Sequence, residues 1–177
     1  MTSLAFLRRF WRDNRGVAAV EMVLLMPVSV LMLFIGMEAG HFLYIEHVLI
    51  QDLRDAARFG GRQPLSAFAC TGTLGDTAMP NSGALGTIST NMTNVARFGL
   101  LAPDNGQKPT IRTWDAAEVA IYYGCTAKTT GIYLNNNFAP YVKVYGTPDY
   151  PTLFGSLTGF LNTRRMYARE QAVVVGL

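Results

Sequence analysis

Glu21 is the residue whose type and position most need a chemical account. It is the only charge in the 21 residues from Val17 to Met37, an otherwise uncharged apolar run bounded by Arg15 and Glu38. An ionised acid inside a bilayer costs on the order of 2.5–3.5 kcal/mol on insertion scales, and less near a helix end, where the side chain reaches the interface. A carboxylate kept at such a place calls for a functional partner.

Other chemistry-bearing residues do not assemble into a catalytic pattern. There is no nucleophile elbow, no phosphate-cradling glycine loop and no Cys-x-x-Cys. The two histidines, His41 and His47, stand six apart and so on different helical faces. Glu38 and His41 have an i, i+3 spacing that a metal would accept, but solvated surface positions are the plainer expectation. With both histidines upstream, a Ser-His-Asp arrangement has none to use in the C-terminal part. Asp115 and Glu118, beside Trp114, read as the start of a helix or strand rather than an acid–base pair. The expectation is a non-enzymatic protein with no catalytic residue, no metal and no cofactor.

The elements that position Glu21 follow from composition. At 1.5 Å rise per residue the run 17–37 reaches roughly 31 Å, the thickness of a bilayer's hydrocarbon core. The chain has 177 residues, half of them apolar, with a net charge of +3 and a pI near 9.0. All of that net charge lies in residues 1–16, in Arg8, Arg9, Arg12 and Arg15 against Asp13, and the rest balances at 11 basic and 11 acidic residues. Basicity here sets membrane orientation and gives no reason to expect nucleic acid. It predicts a single span with the N-terminus in the cytoplasm and the chain after Met37 outside. An ordinary secretory signal fits poorly, because cleavage after Ala39 would place Met37 at −3 and cleavage after Gly36 would place Phe34 there. Pro27 removes one helical hydrogen bond and disturbs the Val23 carbonyl, which predicts a kink or loosening. Whether that is incidental or lets the span bend on leaving the bilayer is open at this level.

Gly16 followed by an apolar stretch with Glu at the fifth position resembles the type IV prepilin processing motif. The string Arg-Gly-Val-Ala-Ala-Val-Glu, the apolar run broken at Met26-Pro27, and the later Gly36-Met37-Glu38-Ala39-Gly40 and Ala56-Ala57-Arg58-Phe59-Gly60 resemble TadE/TadF-type minor pilins of tight-adherence (Tad/Flp) pili. Major pilins of these systems usually have Tyr after the glutamate, whereas Met22 stands here, which favours a minor, pseudopilin-like subunit. The resemblance implies cleavage after Gly16 by a prepilin peptidase, Val17 as the new N-terminus, and Glu21 pairing with the terminal amine of a neighbouring subunit during assembly. It implies a structural role in initiating or capping a pilus used for surface attachment. The partners would be the membrane, the peptidase, other minor and major pilins and the inner-membrane assembly platform. The implied location is the bacterial inner membrane with a periplasmic C-terminal domain, extending to the extracellular pilus if the subunit is incorporated. The competing class is an uncleaved single-pass envelope protein whose periplasmic domain binds a ligand.

The pattern predicts a basic leader over 1–16, the transmembrane helix over 17–37 and a periplasmic helical extension over 38–60. In the extension Phe42, Ile45, Leu49, Leu53 and Ala56 form an apolar stripe, closed by Gly60, Gly61 and Pro64. Residues 61–177 then form an α+β domain. Its first part, 61–110, reads as loop, with one short helix capped by Thr90 and ended by Gly99. Strands are expected near 117–125, 139–145 and 164–175, with a short amphipathic helix around 153–161 between the last two. Short strands with short connections favour an antiparallel sheet, giving a long N-terminal helix packed on a small sheet in a pilin-like plan. Among the aromatics, Trp114, Tyr122, Tyr123, Tyr133 and Tyr141 either fill the core or form an adhesive or subunit-contact surface. Cys70 and Cys125 both fall on the oxidising side of the membrane. A disulfide between them would close a 56-residue segment and contribute on the order of 4 kcal/mol in the chain-entropy account; free thiols are the alternative.

Overall fold

Helix α1 spans Val17–Gly61 in a computed structural model that describes residues 16–68, 70–128, 130–134, 137–155 and 164–176. The chain divides into two compact units, Met1–His41 and Phe42–Leu177. In the first unit, α1 is exposed on all sides over its apolar run, with Val23, Leu24 and Met32 each about two-thirds accessible. This helix is long and apolar enough to cross a membrane, with a mean hydropathy of 2.3 over its apolar 18-residue stretch. Pro27 lies within it, and two residues on, the Ser29 hydroxyl donates to the Leu25 carbonyl at 3.0 Å.

In the second unit the same helix becomes one-sided. Ile45, Leu49, Leu53, Ala56 and Ala57 are buried, while Leu43 and Tyr44 face out. The Phe42 ring meets Tyr150 edge-on, with centroids 5.2 Å apart. What the stripe packs on is an antiparallel sheet of four strands among the described residues: β1 (Leu74–Ala78), β2 (Val119–Ala127), β3 (Phe138–Gly146) and β4 (Ala168–Val173), in that spatial order. Opposed residues share a face, so Ile121 with Val144 and Tyr123 with Val142 face the helix, while Tyr122 with Lys143 and Tyr145 with Arg169 face away. Two glycines let helix and sheet approach. A Cβ on Gly146 would meet Leu49, Leu53 and Trp114 at 3.0–3.1 Å, and one on Gly60 would meet Met92 at 2.7 Å and Val142 at 3.0 Å. The fold is α+β, a long N-terminal helix with a small antiparallel sheet.

Helix α2 (Gly83–Phe98) completes the core by burying Gly86, Ile88, Met92 and Ala96, and it ends at Gly99 in a left-handed conformation (φ 67°). It starts at Ser82, more than two turns before the expected cap at Thr90, whose hydroxyl instead bonds the Gly86 carbonyl inside the helix at 3.0 Å. The segment expected as loop thus contains both this longer helix and β1. The strands differ from expectation at their ends: β2 and β3 run to Ala127 and Gly146, and β4 is confined to Ala168–Val173. Arg165, expected in the last strand, makes only an isolated bridge with Asp149. The helix expected around 153–161 falls largely on residues 156–163, which lie outside the described residues.

Asp52 is the charged exception beside this core. Its Oδ2 is buried without a hydrogen-bond partner among the described residues. Burial, reinforced by the nearby Asp55 carboxylate, pushes its pKa up to about 7. Because that value exceeds the unfolded one of 3.8, the folded state binds the proton more tightly. The contribution of this group to stability is then fullest below about pH 4 and is lost as pH rises to 7. Asp52→Asn should remove this fall and add on the order of 1–2 kcal/mol at pH 7.5 with little gain at pH 4.5, water at the accessible oxygen screening part of the penalty. Denaturant unfolding of the full-length protein in micelles at the two pH values measures it, and equal changes at both would contradict the assignment.

Candidate functional site

Gly16, Val17 and Glu21 occupy the start of α1, and all three are exposed. Val17 and Glu21 are one helical turn apart, so they share a face. Around Glu21 the neighbouring side chains, Val20, Met22, Leu24 and Leu25, are each at least 60% exposed. A continuous apolar surface of this kind requires lipid or a protein partner. It leaves the Glu21 carboxylate as the one acidic group on a helix turn otherwise made of hydrocarbon. Arg8, Arg9, Arg12 and Arg15, the orienting charges, lie outside the described residues.

Glu38 departs from the solvated surface position expected of it. Glu38 is buried and His41 half-buried, while the exposed His47 Nε2 lies 3.0 Å from the Gln51 amide nitrogen. Among the described residues no group of three or more His, Cys, Asp or Glu side chains could hold a metal ion. Asp115 and Glu118 bracket a one-turn 3-10 helix, Ala116–Glu118, that opens β2, and the Asp115 amide donates to Glu118 Oε2 at 2.9 Å. These acids set where the strand begins.

Cys70 and Cys125 are joined by a disulfide with Cα atoms 5.9 Å apart. The bond ties the segment after α1 to the inner side of β2, where Phe68 also packs near Tyr123. Of the aromatics weighed from sequence, Trp114 and Tyr133 are buried, and the Tyr133 hydroxyl donates to the Val174 carbonyl at 2.5 Å. Tyr123 faces the core, whereas Tyr122 and Tyr141 stand on the outer face of the sheet.

That outer face carries a polar network that the sequence pattern did not bring together. Lys143 Nζ donates to Asp76 Oδ2 at 2.7 Å, and the Tyr141 hydroxyl donates to Asp76 Oδ1 at 2.8 Å. The Lys143 and Tyr141 hydrogen bonds hold the Asp76 carboxyl below its ordinary range. The same carboxylate raises both Lys143 and Tyr141. The lysine also lies 5.1 Å from the Tyr141 ring centroid. Asp76 sits on an edge strand 67 residues away from Lys143, so only the β1–β2–β3 pairing makes them neighbours. Gly124 makes room for the arrangement, since any Cβ there would enter the Tyr141 ring and approach the Leu74 carbonyl oxygen at 2.8 Å.

Residues 16–58 match the family model described as TadE-like protein. No curated protein and no solved structure matches the chain. The family match ends before the sheet, whose outer network makes a prediction of its own. Gly124→Ala should destabilise the protein by about 1–3 kcal/mol, because neither the Leu74 main chain nor the Tyr141 ring can withdraw without breaking the Asp76 contacts. Tyr141→Phe, which loses a single exposed hydrogen bond, should cost about 1 kcal/mol or less. Denaturant midpoints rank the two, and equal midpoints for Gly124→Ala and the unchanged protein would refute the close packing.

Proposed function

We propose that this chain, TadE-like over residues 16–58, is a minor pilin or pseudopilin: a structural, non-enzymatic subunit for assembling a tight-adherence pilus used in surface attachment. The observation that carries the reading is the Gly16-Val17 junction placed one turn before Glu21 on a helix whose apolar side chains are exposed all round. In this account the four leader arginines hold the N-terminus in the cytoplasm, and α1 spans the inner membrane through Met37. The unit from Phe42 onward lies in the periplasm. A prepilin peptidase cuts after Gly16 and leaves Val17 with a free amine.

The chemistry of assembly follows from cost in lipid. A helix end carrying an ammonium at Val17 and a carboxylate at Glu21 places both charges near one face of the bilayer. When two such helices dock, the carboxylate of one subunit can accept hydrogen bonds from the amine of the other, replacing two solvation penalties with one charge-assisted contact. The docked helices then serve initiation or capping alongside other minor and major pilins on the inner-membrane platform. The disulfide and the α1–sheet core keep the outer unit folded while α1 leaves the bilayer.

Glu21→Ala tests the role directly. The variant should insert, lose its leader at the ordinary rate and accumulate normally, while surface piliation and attachment fall at least about tenfold, the scale of losing a contact worth 1.4 kcal/mol. Glu21→Asp should restore part of the loss. Normal piliation in the alanine variant would remove the assembly role.

A further inference from the structure

We infer that the outer face of the sheet is a binding site for carboxylated sugars, with Arg169 as the carboxylate-binding residue and the neighbouring tyrosines as the platform for the sugar ring. Lys143, Tyr145, Arg169, Glu170 and Gln171 line an open cleft of about 330 Å³, the lower end of the range for small-ligand sites. Tyr145 is the aromatic residue of the lining and has two further rings beside it. Tyr145 meets Tyr122 edge-on with centroids 5.3 Å apart and lies 6.3 Å from Tyr167, so three rings form a continuous strip across β2, β3 and the lead-in to β4. Tyr167, at its end, is 62% exposed.

The charges of the cleft are not evenly matched. Lys143 is held by Asp76 at 2.7 Å, and the Glu170 carboxylate is engaged by Arg54 of α1 at 3.3 Å. Arg169, opposite Tyr145 in the β3–β4 register, is exposed; its charge helps to lower the Asp76 carboxyl from a distance, but it makes no direct ion pair among the described residues. Gln171, opposite Lys143, adds an amide on the same face. The cleft therefore offers one planar guanidinium able to take a carboxylate bidentately, amide and hydroxyl groups for sugar hydroxyls, and amphipathic rings for a sugar's C–H face.

This combination favours a uronic-acid ring over the alternatives. A bare phosphate or carboxylate ion would make no use of the tyrosine strip. An acidic protein segment would be expected to bury about 800 Å² around an apolar anchor, and the cleft lining contains polar side chains and a tyrosine but no apolar pocket. The site belongs to the second unit, so it stands or falls separately from the cleavage and assembly roles of α1.

Calorimetric titration tests it on the full-length protein in micelles of a detergent without a sugar headgroup. The probes are a mannuronic-acid hexamer, the neutral mannose hexamer and a short polyglutamate. The expected result is saturable binding of the uronate, weakened by added salt and at least about tenfold tighter than the neutral hexamer or polyglutamate. Arg169→Gln should weaken it at least about tenfold and Tyr167→Ala severalfold, with unfolding midpoints unchanged because both side chains are exposed. Absence of saturable uronate binding, or equal affinity in Arg169→Gln, would overturn the assignment. Equal binding of the neutral sugar would remove the role of the guanidinium, and equal binding of polyglutamate would reassign the cleft to an acidic protein segment.

Discussion

The structure depends on α1 satisfying two environments with one continuous helical sequence. Up to Met37 its side chains are, apart from Glu21 and Ser29, apolar and exposed, a surface suited to lipid or to other helices. From Ile45 the apolar positions retreat to one stripe, in which Leu49, Leu53 and Ala56 have no exposure at all. That stripe faces β3 closely enough that Gly60 and Gly146 have no room for a side chain without displacing neighbours. Losing the stripe would separate the helix from the sheet, and with it α2, whose Met92 reaches the same place. The apolar run and the core stripe are thus one design constraint, because the helix that is long and apolar enough to cross a membrane also carries the stripe that organises the second unit.

Charge is distributed with the same economy. In the second unit, ion pairs are local fasteners: Arg54 to Glu170 between helix and sheet, Lys143 to Asp76 across strands, and Arg165 to Asp149 at the bridge before β4. These contacts are exposed or partly so, and each contributes modestly. Two carboxylates differ in kind. Asp52 is held against the core with an unpartnered oxygen and is pushed toward its neutral form. Glu21 stands among exposed hydrocarbon, where a partner from outside the chain would have the largest effect. The first is a local cost within the fold, whereas the second is the point at which the proposed assembly acts.

How much of this was legible in the sequence depended on whether a residue's neighbours were close along the chain. The apolar run, the stripe from Phe42 to Ala56 and the β-branched and aromatic strands β2 and β3 were readable because periodicity records burial. The TadE-like resemblance was readable because Gly16 to Glu21 is a short contiguous motif. β1 was not, since Leu74-Gly75-Asp76-Thr77-Ala78 has no strand alternation and is held at the sheet edge by pairing with β2 across a register shift. The first half of α2 was hidden by Gly83, Gly86 and a run of serine and threonine, residues with weak helix preference that tertiary packing overrides. Gly86 is required there because a Cβ would strike the Asn81 main chain at 2.6 Å. The Asp76–Lys143–Tyr141 network and the cleft beside Arg169 come from strand pairing across long stretches of sequence, a kind of contact that spacing does not encode.

The central claim is that α1 becomes a free-ended helix starting at Val17, and intact mass combined with N-terminal sequencing of the protein isolated from piliated cells measures it most directly. The account predicts a mature species beginning Val-Ala-Ala-Val-Glu, lighter than the full chain by residues 1–16, with the full-length form accumulating when the prepilin peptidase is absent. A mature pool that keeps Met1 through Gly16 while pili assemble normally would contradict it.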